Sequence, residues 1–294
     1  MSMLGGLFGK NQGAPESRIL EAETATGLKF PASYRKFISE SDGKLFKKQS
    51  VEILSLEKSL KYFQNLREFG ITQTWGYFPI LDNNDSNPWC VCCSAPLVGY
   101  IVQVNHDDSA KIKFRSIESF FEKIRVDASG DDFWLNDLAR DFQSDTRTSQ
   151  DIAIAQELVK NASSYKDVSR NDACRFAMWL FGDEQVDQIV PFLDDEDSFV
   201  ARDAADRLKV MQTPKARLAM EKSKRDFTAF VESSLNLLKQ AGIQAELQNQ
   251  STICLNPGHI LLNMEMFYSE RKSPDAEQKL IECSKKFITD KQNK

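Results

Sequence analysis

Gly27-Leu28-Lys29-Phe30-Pro31-Ala32-Ser33-Tyr34-Arg35-Lys36-Phe37-Ile38, with Asp42-Gly43 shortly after, is the stretch from which the fold is read. Gly27 and Pro31 mark a break in the chain. Proline sets φ near its helical value and has no N–H to leave unpaired, so Pro31 suits a helix start. Tyr34, Phe37 and Ile38 then recur at helical spacing and give the helix one apolar face. Asp42-Gly43 ends it, with Gly43 expected at positive φ. Upstream, Glu16-Ser17 followed by Ile19, Leu20, Ala22 and Glu23 predicts a short amphipathic helix.

Downstream the apolar period shortens to that of strands. Val51–Leu54, Tyr77–Leu81, Trp89–Cys93 and Gly99–Val104 read as strands, with a helix-like stretch over Leu56–Phe69. Turn chemistry at Asp82–Pro88 and Asn105–Asp108 separates them. Ile117, Phe120, Phe121 and Ile124 then close the segment as an amphipathic helix. On a strand, Cys90 and Cys92 face one side and Cys93 the other. The other three cysteines are isolated along the chain, and His106 and His259 are its two histidines. Neither a disulfide framework nor a zinc set fits that pattern, so buried reduced thiols are expected, with no metal and no cofactor.

This ordered set of elements resembles the SUKH superfamily, the fold shared by yeast cell-wall signalling regulators and many bacterial toxin-immunity proteins. Gly27, Leu28, Pro31, Tyr34, Phe37, Gly43, Phe78, Pro79, His106, Asp107, Asp108, Phe120 and Phe121 carry the resemblance, over about residues 15–125. The central strand departs from it: Trp89-Cys90-Val91-Cys92-Cys93 stands where the family more often shows an acidic or aromatic-rich strand. The resemblance implies a sheet with flanking helices that binds other proteins.

The next segment, 128–215, is helical by period. Trp134, Leu138 and Phe142 form one stripe, and Ile152, Ala155, Leu158 and Val159 a second. Ala173, Phe176, Ala177 and Leu180 form a third. Val186, Ile189, Val190, Phe192 and Leu193, an acidic break, and Val200, Ala204 and Leu208 then resemble a HEAT-repeat helix pair. Residues 216–294 read as helix, strand, strand, helix, with a further apolar stretch over Ile260–Met266. The chain is therefore expected to be α+β. It divides into a flexible tail (1–14), a SUKH-like domain (15–127), a HEAT-like helical segment (128–215) and a small α+β domain (216–294).

The chemistry of enzymes leaves residue patterns, and few are present. Gly5–Lys10 approaches a phosphate-binding loop, but it is one residue short, Asn11 replaces Ser/Thr and no strand precedes it. His106 sits beside two carboxylates with no nucleophile. The chain is not expected to be an enzyme, although a carboxylate-only hydrolase carries no fixed spacing. No run approaches the length of a membrane span, and no secretion signal opens the sequence, so a cytoplasmic protein is expected.

The net charge of -5 is unevenly placed. Residues 126–215 carry 10 basic and 19 acidic side chains, whereas the flanking segments are each slightly basic. Mild overall acidity argues against nucleic acid as a ligand. An acidic face instead steers a basic protein partner. Together with the resemblance, this predicts an immunity protein that binds a basic toxin, such as a nuclease, without catalysis. The expected contact residues are Asp194, Asp195, Glu196 and Asp197, with Asp82, Asp85, Asp107 and Asp108 as a second acidic surface. The rival expectation is a regulatory scaffold that binds several proteins.

Overall fold

The computed structural model describes residues 12–46, 51–68, 71, 74–82, 87–104, 110–127, 142, 146–165, 167–211, 213–256, 260–268 and 271–292. Two compact units divide the chain, Met1–Leu180 and Phe181–Lys294. Trp134 and Leu138, the first two positions of the helical stripe expected before Phe142, lie outside the described residues, as does most of the tail.

In the first unit, α1 (Glu16–Thr26) and α2 (Ala32–Glu40) precede β1 (Lys44–Phe46) and β2 (Val51–Ile53). Then come α3 (Leu56–Glu68), β3 (Tyr77–Asp82), β4 (Trp89–Cys92), β5 (Ile101–Gln103), β6 (Lys111–Phe114) and α4 (Ile117–Asp127). The six strands form one sheet in sequence order, each antiparallel to its neighbour. Gly27 ends α1 at φ 73°, and its N–H bonds back to the Glu23 carbonyl. Gly43 sits at φ 85°, and a Cβ there would lie 2.7 Å from the Ser55 backbone nitrogen. Both the dihedral and the space therefore require glycine.

One face of the sheet carries Phe78, Ile80, Trp89 and Val91, packed under Tyr34, Phe37 and Phe120. Ring centroids lie 4.5 Å apart for Phe30 and Phe78, and 5.6 Å for Trp89 and Phe120. Behind the first two helices, Glu23 is buried and accepts from the Phe30 N–H at 2.8 Å and from Arg35 at 2.7 Å. Burial pushes its carboxyl up, but these donors and Lys29 outweigh it and hold it below the usual range.

Two further helices complete this unit, α5 (Ser149–Asn161) and α6 (Asp167–Leu180). Thr148 caps α5 reciprocally with Asp151: the Asp151 N–H donates to the Thr148 hydroxyl at 3.1 Å, and the Thr148 N–H donates to the Asp151 carboxylate at 2.8 Å.

The second unit starts with a 3-10 turn (Asp183–Gln185), the short α7 (Val186–Ile189) and a second 3-10 stretch (Val190–Asp194). The sequence pattern suggests one continuous helix here. Pro191 lacks the N–H an α-helix needs at that point, and the chain tightens into 3-10 geometry instead. Next come α8 (Ser198–Met211) and the 27-residue α9 (Pro214–Gln240). Thr213 caps α9 by accepting the Ala216 N–H at 3.1 Å, and Pro214 occupies its first turn.

β7 (Gln244–Asn249), β8 (Thr252–Asn256) and β9 (Ile260–Asn263) form an antiparallel sheet in that order. The apolar stretch over Ile260–Met266 thus resolves into a third strand and the start of α10 (Glu265–Tyr268). The last helix is α11 (Ala276–Gln292). Val231, Leu238, Ile253, Leu255, Leu262 and Leu280 form this unit's core. The protein is α+β, as expected.

Candidate functional site

The acidic turn Asp194–Asp197 lies in the second unit, between the 3-10 stretch and α8, and its four carboxylates have different surroundings. Asp197 is the N-cap of α8, accepting the N–H of Phe199 at 2.8 Å and of Val200 at 3.2 Å. Asp195 accepts the Asp197 N–H at 3.0 Å and shapes the turn. Asp194 is ion-paired with Arg271 and, at 3.4 Å, with Lys272. Glu196 is exposed, with no hydrogen bond or ion pair among the described residues. Replacing Asp197 by Ala is expected to cost about 1 kcal/mol through loss of the cap, seen as a lower urea midpoint at unchanged slope.

Asp82 ends β3 in the first unit, opposite Glu52 of β2. Asp85, Asp107 and Asp108 lie outside the described residues, as do His106 and His259. The acidity of 126–215 is shared between the units: ten of its acidic side chains precede residue 181 and nine follow it. Much of it is engaged internally. Asp151 and Asp172 are buried, and Asp187 and Asp206 pair with Lys215 and Lys209.

Next to the acidic turn is a groove of about 710 Å³, bounded by α8, the first half of α9, Asn263, α10 and Arg271. Its α8 wall is low because Ala201 and Ala205 lie one turn apart there. Phe227 and Tyr268 line it, their rings 5.1 Å apart and perpendicular. The Arg271 guanidinium stacks 3.6 Å over the Tyr268 ring before reaching Asp194. Asp194 thereby ties the acidic turn to the end of the groove. Phe199 and Met266 stand on the rim, 51% and 68% exposed. Sequence reasoning missed this groove, although Phe199 falls outside the Val200, Ala204, Leu208 stripe and so had to face elsewhere.

Among the described residues no cluster of metal-ligating side chains occurs, and no helix is long and apolar enough to cross a membrane. The six cysteines are free thiols. Burial pushes the thiols of Cys90 and Cys92 well up, and that of Cys93 to about 12, so none of the three is a poised nucleophile.

The sheet beneath α1, α2 and α4 agrees with the sheet and flanking helices that the family resemblance implies. Residues 13–123 match the sequence model of the SMI1 / KNR4 family (SUKH-1). This segment is a SUKH domain. No curated protein matches the chain.

The SUKH segment ends within α4, yet its unit continues through α5 and α6. These two helices engage the sheet through Tyr77 of β3 and through residues just before β3, just before β5 and just after β6. The Tyr100 hydroxyl donates to Asp151 at 2.9 Å, and the Arg115 guanidinium donates to the same carboxylate at 2.8 Å. The Tyr77 hydroxyl donates to Asp172 at 3.1 Å, and Thr74 meets Ser169 at 2.7 Å. Trp75 packs edge-on against Phe176 and Tyr165. The SUKH sheet is thus covered on both faces by its own chain, and all of β4 is buried. A partner has to use edges, loops or helices rather than an open sheet face.

Asp172 is 2% exposed, and one of its oxygens has no hydrogen-bond partner among the described residues. Burial pushes its carboxyl up to about 6, despite the Tyr77 hydroxyl and nearby Arg175. The folded state therefore binds this proton more tightly than the unfolded chain does. The stability it contributes is full below the unfolded value near 3.8 and is lost as pH rises through about 6. Asp172→Asn is expected to flatten the wild type's stability slope between about pH 4 and 6. A slope left unchanged by the substitution in urea titrations would contradict this.

Proposed function

We propose that this protein is an immunity protein: it binds one cognate toxin in the cytoplasm of the producing cell and blocks it without catalysis. The observation that carries the reading is the SUKH-1 match over 13–123. The acidic turn supports a basic partner, such as a nuclease toxin, whose phosphate-binding surface is complementary to it. Glu196 is the side chain of that turn whose carboxylate is least committed to the fold, and Asp195 lies beside it.

Coexpression with a toxin encoded beside this gene is the direct test. Rescue of growth together with a stable complex supports the reading, and unrelieved toxicity ends it. Within that complex, Glu196→Lys is expected to slow association severalfold at low salt and to flatten its salt dependence. An on-rate unchanged in stopped-flow mixing at low ionic strength would remove the acidic turn from the interface. Asp197 is unsuitable for this test, because its reversal also removes the α8 cap.

The second reading is a regulatory scaffold, also of SUKH type, that binds several proteins. The covered sheet favours neither reading. Recovery of several unrelated direct partners, with no toxin gene adjacent, is the result that distinguishes the scaffold.

A further inference from the structure

We propose that the ion pair of Asp194 with Arg271 and Lys272 is a strap that sets the width of the groove, and that the two parts it joins swing apart about the exposed middle of α9 when it is released. One part is helical, residues 183–211, and the other is the C-terminal part built on β7, β8 and β9. The proposal is independent of the toxin reading. Three observations support it.

The first is that the two parts have separate cores. Among the described residues the C-terminal core takes in nothing before Phe227. Val186, Ile189, Val200, Ala204 and Leu208 are buried in the helical part, and none of them belongs to that core. Parts of one chain move against each other unless a large apolar interface holds them. Here the groove of about 710 Å³ lies between them instead.

The second is the link. α9 buries Ala216 near its start and Val231, Ser234 and Leu238 in its second half. None of the 14 residues from 217 to 230 is buried, so packing does not fix the curvature there. Those residues span about 21 Å of helix. Ordinary helix curvature, with a radius of about 60–100 Å, turns one end of that length against the other by about 12–20°. At about 10 Å from the axis, the distance of a packed neighbour, this moves a groove wall by about 2–4 Å.

The third is the strap itself. Arg271 is held from its own side: it donates to the Tyr268 carbonyl at 2.6 Å, and its guanidinium lies 3.6 Å over the Tyr268 ring. Phe227 and Phe230 of α9 hold that ring in turn, at 5.1 and 5.3 Å. Asp194 comes from the helical part, at the end of the 3-10 stretch, and both of its cations belong to the C-terminal part. The strap therefore closes on a donor that is already in place. Asp194 is 49% exposed and Lys272 64%, and exposed pairs of this kind are weak and screened by salt. Such a strap selects one width without locking it.

Spin labels at Glu196→Cys, beside the strap, and at Leu261→Cys, on β9, report the distance between the two parts in the full chain by double electron–electron resonance. Both positions are exposed, and Cys283→Ser removes the half-buried native thiol. In this background Asp194→Asn is expected to shift the mean distance by about 2–4 Å and to broaden its distribution. Arg271→Gln releases the strap from the other side, with the same expected result. About 1 M salt, which screens charges within about 3 Å, is expected to do the same to the parent and to add nothing in Asp194→Asn. Lys222→Gln alters an exposed charge of α9 outside the groove lining and is expected to leave the distribution unchanged. Circular dichroism melts establish that each variant is folded. A distribution that folded Asp194→Asn and Arg271→Gln both leave unchanged overturns the proposal. So does a salt response that persists in Asp194→Asn, or a shift of equal size in Lys222→Gln.

Discussion

Asp151→Ala is expected to destabilise the first unit by about 3–5 kcal/mol, the cost of removing one partner from a buried charged pair. Asp151 is fully buried and serves three elements at once. It closes the capping box of α5, accepts the hydroxyl of Tyr100 just before β5, and neutralises Arg115 just after β6. Burial pushes its carboxyl up, but the Thr148 N–H, Arg115 and Tyr100 together hold it below the ordinary value. Its contribution is therefore present above the unfolded value of about 3.8 and lost as pH falls through the lower folded one.

Alanine leaves a Tyr hydroxyl buried without its acceptor, the Arg115 guanidinium without its carboxylate, and the helix without its box. Asp151→Asn keeps the shape and one acceptor oxygen, so a smaller loss is expected. Trp75, Trp89, Trp134 and Trp179 all lie in residues 1–180, so tryptophan emission reports this unit during urea unfolding. A midpoint unchanged in Asp151→Ala would show that α5 is held to the sheet by apolar packing alone.

The elements that carry this hub were unequally legible in the sequence. The first two helices, the Gly27 break, and strands β3 and β4 follow from the spacing of Tyr34, Phe37, Phe78 and Trp89. In each of them apolar period and turn residue agree. β1 and β6 were missed. Each is three or four residues long, and Lys111-Ile112-Lys113-Phe114 holds too few alternations to establish a period. The docking of α5 and α6 on the sheet was also hidden, because it depends on Asp151 and Asp172 pairing with residues 51 and 95 positions away. A carboxylate that looks like surface charge in one dimension becomes core when a Tyr and an Arg from distant strands converge on it. The same effect weakens a reading of partner binding from net charge, since several acids of 126–215 are engaged within the fold. The acidic break at Asp194–Asp197 was legible as a turn between two helical stretches, while the groove beside it needed Phe199, Phe227 and Met266 from three separate elements.

Arg207→Ala is expected to cost the second unit about 3–5 kcal/mol, and the variant series around it separates charge from packing. Arg207 is 1% exposed and lies on the buried stripe of α8 formed by Val200, Ala204, Leu208 and Met211. A guanidinium on an apolar stripe is tolerated only where its donors are met. It donates to the Phe181 carbonyl at 2.8 Å, with Asp183 at 3.9 Å. The carbonyl bond is the stronger element of the two, because Asp183 is 25% exposed and its separation is long.

Arg207→Met keeps most of the volume and removes the charge, leaving chiefly the Phe181 carbonyl unpaired, for an expected loss of about 1–3 kcal/mol. Asp183→Asn is expected to cost under about 1 kcal/mol. The second unit contains no tryptophan, so its unfolding is followed by far-ultraviolet circular dichroism. If Asp183→Asn proves as damaging as Arg207→Ala, the ion pair and not the carbonyl anchors α8.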